Sequence, residues 1–484
     1  MKTLAAMLLP VERRLEFLEG LRSVLSPEAF ETVRAVFEGA AELLSVVEAQ
    51  TVSMSRLSQR LFGPKTEKGQ RLCGGPAREK PKQKRPGHGR RSHRRYTGAR
   101  RIPVPHAQLK PGEPCPDCRR GKLRRQKEPA VPIKLTAQPP VAALIHELER
   151  LRCDTCGTVF TATPPAEAQG EKYDPSVGVM VGLLRYGSGM PFHRLERLQG
   201  SVGVPLPASV QWEQALRVAR ALEPVGQHLL ELGAQAALFH NDDTGMRITA
   251  VRREIEADPK SKRTGIFTTG IVCEGFEGGG LSIRILHTGR NHAGENLSRV
   301  LERRAKELPP PLQMCDGLDR NEPAEHPTHL CHCNTHARRQ FVDIRTAFPE
   351  ECRRVVEAFG QVYRVEAECR NQKLGPEERL RRHQEQSGPV MEALRREFQE
   401  ALDRKQIEPN STLGGAVNYM LGRWPTLTQF LRVPGAPLDN NPAERLLKSA
   451  ILHRKNSMHY KTQRGADVGD TFMTVIETCR ANGV

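Results

Sequence analysis

A strand-like apolar run ends in two acids and a turn at Ala237-Leu-Phe-His-Asn-Asp-Asp-Thr-Gly245. Further segments with alternating apolar residues follow at 246–251, 266–272 and 281–286. Alternation with a period of two, bounded by turn residues, is typical of strands. We therefore predict a strand, a turn and three more strands, with Asp242 near the end of the first strand.

A second acid follows another strand-like segment, Leu312-Gln-Met-Cys315, which runs directly into Asp316-Gly317. Before it, residues 293–308 have helix-like spacing of their apolar residues. Strands, a helix and then a strand ending in Asp predict an α/β sheet with acids at one edge.

A third acid opens a helix in the segment Leu438-Asp-Asn-Asn-Pro-Ala-Glu444. Asn is a common N-cap and Pro is favoured at the first helical position. We therefore expect Asn441 to cap this helix and Pro442 to begin it, which makes Glu444 its third residue.

Three acids at such positions are suited to hold two divalent cations. Phosphoryl transfer between DNA strands uses two ions, Mg²⁺ or Mn²⁺, about 4 Å apart, and these hard cations prefer carboxylates. Together, Asp242, Asp316 and Glu444 can provide such a carboxylate cage. Each has another interpretation by itself, because Asp before Gly is common in turns and Glu near a helix start is common in capping boxes.

Basic residues follow Glu444 at helical spacing. Lys448 and Lys455 share the side of the helix that bears Glu444, and Arg454 is adjacent to Lys455. Such a face is predicted to bind the phosphates of DNA. The alternative is an ordinary solvated helix.

The overall charge of the chain indicates a polyanionic partner. The 484 residues are enough for two or three domains, and 74 Lys and Arg against 56 Asp and Glu give a net charge of +18. Nucleic acid is the first choice of partner and an anionic membrane surface the second. Met1–Pro10 does not resemble a signal peptide and no apolar run could span a bilayer, so we expect a soluble cytoplasmic protein.

The N-terminal region, residues 1–64, is predicted to be helical. Ser26-Pro-Glu28 is a good helix start, with Ser as the N-cap and Pro at the first position. Two interpretations stay open for these helices, a small helical subdomain and a coiled-coil oligomerisation arm.

A basic linker is predicted at residues 65–105. Between Arg60 and Arg101 there are 15 Lys or Arg and 2 acids, with scattered Gly and Pro, so this segment cannot bury a core. We expect a mobile tether that contacts DNA phosphates rather than a merely solvated linker. Its predicted DNA-binding residues are Arg90, Arg91, Arg94 and Arg95.

Two C-x2-C knuckles, Cys115-Pro-Asp-Cys118 and Cys153-Asp-Thr-Cys156, stand out among the 12 cysteines. Two such knuckles complete a tetrahedral site, so we predict structural Zn²⁺ bound by these four thiolates in a ribbon-like module at 106–165. The alternating residues at 131–135 and 141–148 are expected to supply its strands. The alternative is four incidental thiols.

Three short helices are predicted next, at 174–185, 192–198 and 209–221, with helix-turn-helix-like spacing. On the third, Gln211, Gln214 and Arg217 are expected to face a major groove. A plain helical bundle gives the same pattern, so both interpretations stay open.

Several sequence blocks resemble the insertion-sequence-66 family of bacterial transposases. They are HNDDTG, CDGLDRN, CHCNTHARRQF and LDNNPAERLLKSAILHRKNSM, with the knuckles, LFGPKTEK and PFHRLERLQGSVGVPL in support. Together they extend from Leu61 to Val484. The resemblance assigns a catalytic triad to Asp242, Asp316 and Glu444 and implies metal-dependent cleavage and strand transfer of insertion-sequence ends.

The resemblance also implies the architecture and the partners. It implies a multi-domain α+β protein. N-terminal helices, a zinc-ribbon-like module and a helix-turn-helix-like module come first in the chain, and an RNase H-like α/β catalytic core with a helical insertion follows them. The expected partners are double-stranded DNA, further copies of the chain in a synaptic complex and accessory proteins of the same element, in a bacterial cytoplasm near the nucleoid. The predicted later domains are a helical module at 166–228, a catalytic domain at 229–324 and 416–484, and a helical insertion at 325–415.

The insertion is predicted because residues 350–404 are largely charged and helix-prone. Just before them, Cys331-His-Cys333 and His336 suggest a second metal site, whereas the family block suggests a helix carrying DNA-binding Arg338 and Arg339. Both interpretations stay open.

Two features depart from the family pattern. The family usually carries Glu where Asp243 stands and Tyr near Asp319, and its members commonly continue past the final block ending at Val484. The alternative function is therefore a catalytically inactive, transposon-derived DNA-binding protein. A third hypothesis is an RNase H-like nuclease acting on branched or hybrid substrates.

Overall fold

A computed structural model gives the fold. It describes residues 19–20, 22, 26–35, 53–54, 101–105, 107–118, 120–126, 131–132, 138–154, 156, 158–258, 263–275 and 279–484. The chain divides into two compact units. One is Pro76–Ala142 and the other combines Met1–Gly75 with Ala143–Val484.

In the unit Pro76–Ala142, the first knuckle lies in a tight hairpin-like turn. The main-chain nitrogen of Cys115 donates to the carbonyl of Gly121 (2.7 Å), and Gly112 and Leu123 are joined in the same way. This turn holds the start of the C-x2-C motif. The four predicted DNA-binding arginines of the linker lie outside the described residues.

The helix start predicted at Ser26 is confirmed within residues 26–35. Residues 27–35 are helical, and Oγ of Ser26 accepts a hydrogen bond from the main-chain nitrogen of Ala29 (3.3 Å). The choice between a helical subdomain and a coiled-coil arm falls mostly on residues outside the described ranges.

The second knuckle lies between two short antiparallel strands, β1 (Arg150–Arg152) and β2 (Val159–Thr161). The strand expected at 141–148 is wrong, because no strand forms there and the nearest paired strand begins at Arg150. Alternating apolar residues become a strand only where another strand can satisfy the backbone hydrogen bonds.

The predicted helical module forms, with a longer third helix. The helices are α1 (Pro175–Gly182, continued by a π-helical turn at Leu183–Gly187), α2 (Phe192–Ser201) and α3 (Ala208–Gly233). Helix α3 has 26 residues and leads into the central sheet. Gly178 lets α1 approach α3 closely, since a Cβ there would lie 2.6 Å from the carbonyl oxygen of Gln214.

A five-stranded mixed sheet forms the centre of the larger unit. Its strands are β3 (Leu238–Gly245), β4 (Phe267–Glu274), β5 (Ile283–Gly289), β6 (Leu312–Cys315) and β7 (His329–His332). Their order is β5-β4-β3-β6-β7. Strands β3, β4 and β5 are antiparallel neighbours, whereas β6 and β7 run parallel to β3.

One of the predicted strands is wrong. Residues 246–251 do not form a strand but lead into helix α4 (Thr249–Ala257). Val251 and Ile255, four residues apart, are the buried residues of α4, so helical spacing takes over from the short alternation that precedes it. The helix expected at 293–308 is shorter, α5 (Ala293–Leu301).

The region between the second and third acids is largely helical. It consists of α6 (Asn334–Ile344), α7 (Pro349–Asn371), α8 (Pro376–Gln386), α9 (Gly388–Asp403), α10 (Thr412–Gly422) and α11 (Trp424–Leu427). Strand β7 falls within the predicted insertion but pairs with β6, so it belongs to the sheet. The helices share one core with β6 and β7, in which Met314, Cys331, Phe341 and Phe359 are buried.

Two C-terminal helices, α12 (Asn441–Ser457) and α13 (Gln463–Ala481), cover the sheet. Helix α12 crosses β4 closely, since a Cβ on Gly270 would lie 3.1 Å from Leu447. Helix α13 is joined to β5 through Asp470 and Thr288. Of the helices in the described ranges, none is both long and apolar enough to cross a bilayer.

Candidate functional site

The three predicted acids come from neighbouring elements. Asp242 lies in the last half of β3, and Asp316 directly follows β6. Because β3 and β6 are parallel neighbours, both acids lie toward the same end of the sheet. Glu444 lies in the first turn of α12, a helix that packs on β3 and β4.

The acids are close enough to affect one another. Burial, together with the negative charges of Asp316, Asp243 and Glu444, raises the pKa of Asp242 to about 7, although a hydrogen bond from the main-chain nitrogen of Asp243 acts in the opposite direction. Like charges disfavour a second carboxylate nearby. A cation would relieve this repulsion.

Glu444 has an unsatisfied carboxylate oxygen. Its Oε1 is buried and accepts no hydrogen bond from any described residue. Nε2 of His336 lies 3.9 Å away, beyond hydrogen-bonding distance. A buried carboxylate oxygen without a hydrogen-bond partner, on a side chain whose charge raises the pKa of Asp242, fits a position where a hard cation binds.

The side chains are not gathered into a closed metal cage. Across the described parts of the chain, no group of three or more His, Cys, Asp or Glu side chains is arranged to hold a metal ion. The thiols of Cys331 and Cys333 are buried, which raises their pKa to about 12 and about 11. Sγ of Cys333 instead accepts a hydrogen bond from the main-chain nitrogen of Asn440 (3.3 Å).

Buried amides hold Asp316 in place. Nδ2 of Asn321 donates to Oδ1 of Asp316 (2.5 Å), and the carbonyl of Asn321 accepts from Nδ2 of Asn241 (2.7 Å). Gln313 on β6 donates to both Asn241 and Asn321 (2.9 Å each). This network joins β3, β6 and the turn after Asp316, so the positions of the first two acids are coupled.

Asn440 joins the third acid to the first. Its fully buried side chain donates from Nδ2 to the carbonyl of Asn241 (3.0 Å), and its Oδ1 lies 3.3 Å from Nδ1 of His240. The expected cap is therefore one residue out of place: α12 begins at Asn441, Asn440 precedes it, and Glu444 is the fourth residue of the helix. The Asn440 amide is used between elements rather than for capping.

Gly317 allows the insertion to approach the second acid. A Cβ on Gly317 would collide with the hydroxyl of Tyr419 and lie 2.6 Å from Nε of Arg423. Arg423 also donates from NH2 to the carbonyl of Gly317 (2.8 Å), and its guanidinium lies over the Tyr419 ring. Residues of α10 and the following turn thus hold the main chain next to Asp316.

Asp243 has different neighbours from Asp242. Its side chain is only 4% exposed and its Oδ2 lies 2.9 Å from Nδ1 of His292. Arg320 adds a second basic group at 3.8 Å. This acid is paired, whereas Asp242 faces other acids.

The groove-reading role of Gln211 and Gln214 is wrong for this structure. Gln211 is fully buried and Gln214 nearly so, and Nε2 of Gln211 donates to the carbonyls of Phe192 and Leu206 (3.1 and 2.8 Å). The Gln211 amide thus contacts α2 and the segment before α3, since α1 and α2 pack on α3. Arg217 is exposed and pairs with Glu171 (2.5 Å).

The predicted basic residues near Glu444 fall into two groups. Lys448 and Lys455 are exposed on α12, whereas Arg338 and Arg339 are half-buried on α6. Arg454 contacts the end of β3, donating to the carbonyl of Gly245 and to the Thr244 hydroxyl (3.3 Å for the latter).

The four predicted zinc ligands belong to different units. Cys115 and Cys118 lie in Pro76–Ala142, and Cys153 and Cys156 lie in the larger unit. A hydrogen bond from the Thr158 hydroxyl lowers the pKa of Cys156 to about 7, and one from the Gly121 backbone lowers that of Cys118. A lower pKa favours the thiolate, the form that binds metal.

Comparison with known families decides the relationship of this chain. The sequence profile of the family described as Transposase IS66 family matches residues 171–468, more than half of the chain. This chain belongs to the IS66 transposase family. The matched region of this IS66 protein includes Asp242, Asp316 and Glu444.

Relatives of this IS66 protein occur in Sinorhizobium fredii (strain NBRC 101917 / NGR234). The uncharacterized protein y4jD is 26% identical over 351 residues, which is 69% of this chain and 65% of that protein. The uncharacterized protein y4hP is 27% identical over 359 residues, 69% of this chain and 62% of that protein. The chain therefore spans less than two thirds of the length of either relative.

Sequence reasoning missed three amide side chains and one arginine that position the acids. Asn440, Asn321, Gln313 and Arg423 all hold the elements that carry the acids. The doubled Asn before Pro442 is a visible signal for one of them, although the same pattern also predicts a helix cap. Nothing in the spacing of the others indicates a role.

Proposed function

We propose that this IS66 family chain is a DNA transposase that cleaves the ends of an insertion sequence and joins them to target DNA. The observation that carries this proposal is the position of Asp242, Asp316 and Glu444, which lie near one another at one end of the central sheet. Membership of a transposase family supports the same reaction class.

An RNase H-like core is part of this proposal. Its support is the sheet order, in which three antiparallel strands are followed by two strands parallel to the first. The helical region lies between Asp316 and Glu444 in sequence and packs on β6 and β7.

Mg²⁺ or Mn²⁺ is the proposed cofactor, with two ions held by the three acids. The carboxylate donors, the raised pKa of Asp242 and the orphaned oxygen of Glu444 fit hard cations. When bound, such ions stabilise charge on the attacking and leaving oxygens of an in-line displacement.

The protein itself supplies position and charge. Asn321 orients the carboxylate of Asp316, and Asn440 fixes the start of α12 against β3. Phosphates of double-stranded DNA are proposed to lie along Lys448, Lys455, Arg454, Arg338 and Arg339, and along the arginines of the linker.

A homo-oligomeric synaptic complex and accessory proteins of the same element are also part of the proposal. We further propose a structural Zn²⁺ bound by the two C-x2-C pairs. The lowered pKa of Cys118 and Cys156 supports the zinc site. Stoichiometric zinc in the purified protein, lost when Cys156 is replaced by Ser, is expected. Metal-free protein with an unchanged fold would contradict it.

The main proposal is tested by a cleavage and strand-transfer assay. Its substrates are labelled duplexes that carry the ends of the element encoding this chain. With Mg²⁺ or Mn²⁺ we expect nicked and joined products from the wild type. Glu444→Gln should lower the rate by about a thousandfold or more with unchanged duplex binding. The matched control is Glu392→Gln, at an exposed position of α9.

Two other outcomes would contradict the proposed transposase activity. Binding of the ends without metal-dependent cleavage would contradict the enzyme and favour a DNA-binding protein derived from a transposon. Cleavage of hybrid or branched substrates regardless of end sequence would favour a nuclease instead.

A further inference from the structure

A pocket of about 380 Å³ lies between α6, α7 and the start of α12. Its volume is at the lower end of the range for small-molecule sites, about 300–1,000 Å³. Its floor and walls combine apolar, aromatic and polar groups. The residues that line the pocket include Val356, Phe359, Tyr363, Thr335, Asp439 and Asn441.

Two helices connect the pocket with the acid cluster, which consists of Asp242, Asp316 and Glu444. On α6, Thr335 lines the pocket and the next residue, His336, lies 3.9 Å from Glu444. On α12, Asn441 lines the pocket one helical turn before Glu444. A DNA strand whose phosphate lies at the acids therefore has its neighbouring nucleotide beside the pocket.

Asn441 presents an uncommitted amide at the pocket. The residue is half-buried, and it is Asn440 that precedes the helix and ties it to β3. Within the described residues, the hydrogen bond that Asn441 makes outside its helix is from its main-chain nitrogen to Oδ1 of Asp439 (3.2 Å). Its side chain offers both a donor and an acceptor, as the edge of a nucleobase requires.

We propose that this pocket, the base pocket, takes one unstacked nucleobase of the DNA strand next to the phosphate to be cleaved. The inference rests on the proposed transposase function. Aromatic and aliphatic walls suit the flat face of any base, and a polar group at the edge can pair with its hydrogen-bonding atoms. Removing the base from the stack bends the strand and brings its phosphate to the acids.

Gly360 offers a way to fill the base pocket without disturbing the fold. It is an exposed lining residue on α7, and a Cβ there meets nothing within 4 Å. Phe at this position would occupy the space of a base. Gly415 on α10 is exposed in the same way with nothing within 4 Å, so Gly415→Phe is the matched control.

The test uses duplexes of the element end with 2-aminopurine at each nucleotide flanking the scissile phosphate in turn, bound in Ca²⁺ so that binding and cleavage are separated. This base fluoresces more strongly when it leaves the stack. We expect a several-fold rise at one position for the wild type and Gly415→Phe, and no rise for Gly360→Phe or Asn441→Ala at matched occupancy.

Cleavage in Mg²⁺ is measured on the same duplexes. Gly360→Phe should cleave about tenfold to a hundredfold more slowly than Gly415→Phe, in line with the usual contribution of base stacking. An abasic nucleotide at the responsive position should restore part of that loss.

Two results would overturn the base pocket without contradicting the transposase function. One is wild-type cleavage with no fluorescence rise at any position, which leaves the transposase function intact. The other is an unchanged rise in Gly360→Phe. Wild-type protein that neither binds nor cleaves the ends contradicts the transposase function and the base pocket together.

Discussion

Asp242 and Asp243 are adjacent in sequence, yet they lie in opposite electrostatic environments. Asp242 faces Asp316 and Glu444, and burial together with their charges raises its pKa to about 7. Asp243 is 4% exposed and faces His292 and Arg320 instead. Because successive side chains of a strand point to opposite faces, one residue of sequence separates an acid cluster from an ion-paired acid.

The difference shows that burial alone does not distinguish a functional carboxylate. Both side chains are largely removed from solvent, but only Asp242 lacks a basic partner among the described residues that affect its pKa. A carboxylate surrounded by other carboxylates is unfavourable for the empty protein and favourable for a cation-bound one.

Replacing Asp242 and Asp243 separately should show the difference between them most clearly. Asp242→Asn should lower DNA cleavage by about a thousandfold or more, because it removes a carboxylate of the proposed metal site. Asp243→Asn should lower it by about tenfold or less. Single-turnover cleavage with saturating Mn²⁺ measures both variants.

Stability should change in opposite directions in the same two variants. The pKa of Asp242 is raised on folding, so its charged form destabilises the protein above about pH 7, and Asp242→Asn should raise the free energy of unfolding at pH 8. Asp243→Asn should lower it by about 1–3 kcal/mol through the unpaired His292 and Arg320. Urea unfolding showing equal losses in both would refute the contrast.

Asn440→Ala should produce the next largest effect. It removes the amide that joins α12 to β3, so Glu444 loses its fixed position relative to Asp242. We expect about a tenfold to hundredfold loss of cleavage and about 1–3 kcal/mol of stability. Asn418→Ala is the control, since that exposed amide donates to the carbonyl of Pro409 in its own neighbourhood (3.3 Å). Equal behaviour of the two variants would remove the positioning role of Asn440.

Gly317→Ala should have a moderate effect on the second acid. The added methyl group meets Tyr419 and Arg423, so either the insertion or the main chain at Asp316 must move. A loss of about 1–3 kcal/mol is expected in thermal or urea unfolding. Gly422→Ala, where a Cβ meets nothing within 4 Å, should be neutral or slightly stabilising.

Asp470 sharpens the comparison through the pH dependence of stability rather than through DNA cleavage. It is a buried acid far from the cluster in sequence, and burial raises its pKa to about 7 although Thr288 donates two hydrogen bonds to it. A carboxyl with a raised pKa contributes stability below its unfolded pKa that is lost as pH rises through about 7. Its contribution falls by at most about 1.4 kcal/mol per pH unit.

Asp470→Asn should therefore flatten the pH dependence of unfolding between about pH 4 and 7, as measured against the wild type. The amide can keep both contacts with Thr288, donating to its hydroxyl and accepting from its main-chain nitrogen. Parallel pH profiles for the variant and the wild type would show that Asp470 does not titrate in this range.

The local elements that carry the acids could be predicted from sequence. The apolar run before Asp242, the segment before Asp316 and the Asn-Pro start before Glu444 each obey a short-range rule for strands or helix ends. These strands and the helix are confirmed. The same rules failed at residues 246–251, because a short alternation fits a turn and a helix equally well.

Long-range packing explains what could not be predicted. Gln211 and Gln214 have polar side chains at helical spacing, yet both are buried because α1 and α2 cover that side of α3. Likewise, Asn440 is buried against β3, about 200 residues away in sequence. Which polar groups become internal depends on contacts between distant segments, and one sequence does not record them.

The sequence position of Glu444 also has a consequence for synthesis. It follows Asp316 by 128 residues, and the helices between them share one core with β6 and β7. At ribosomal rates of roughly 5–20 residues per second, this segment takes on the order of ten seconds to emerge. In a nascent chain, the basic linker and two of the proposed catalytic acids are therefore present well before the third acid is made. With the proposed function, we expect such an unfinished chain to bind DNA without cutting it.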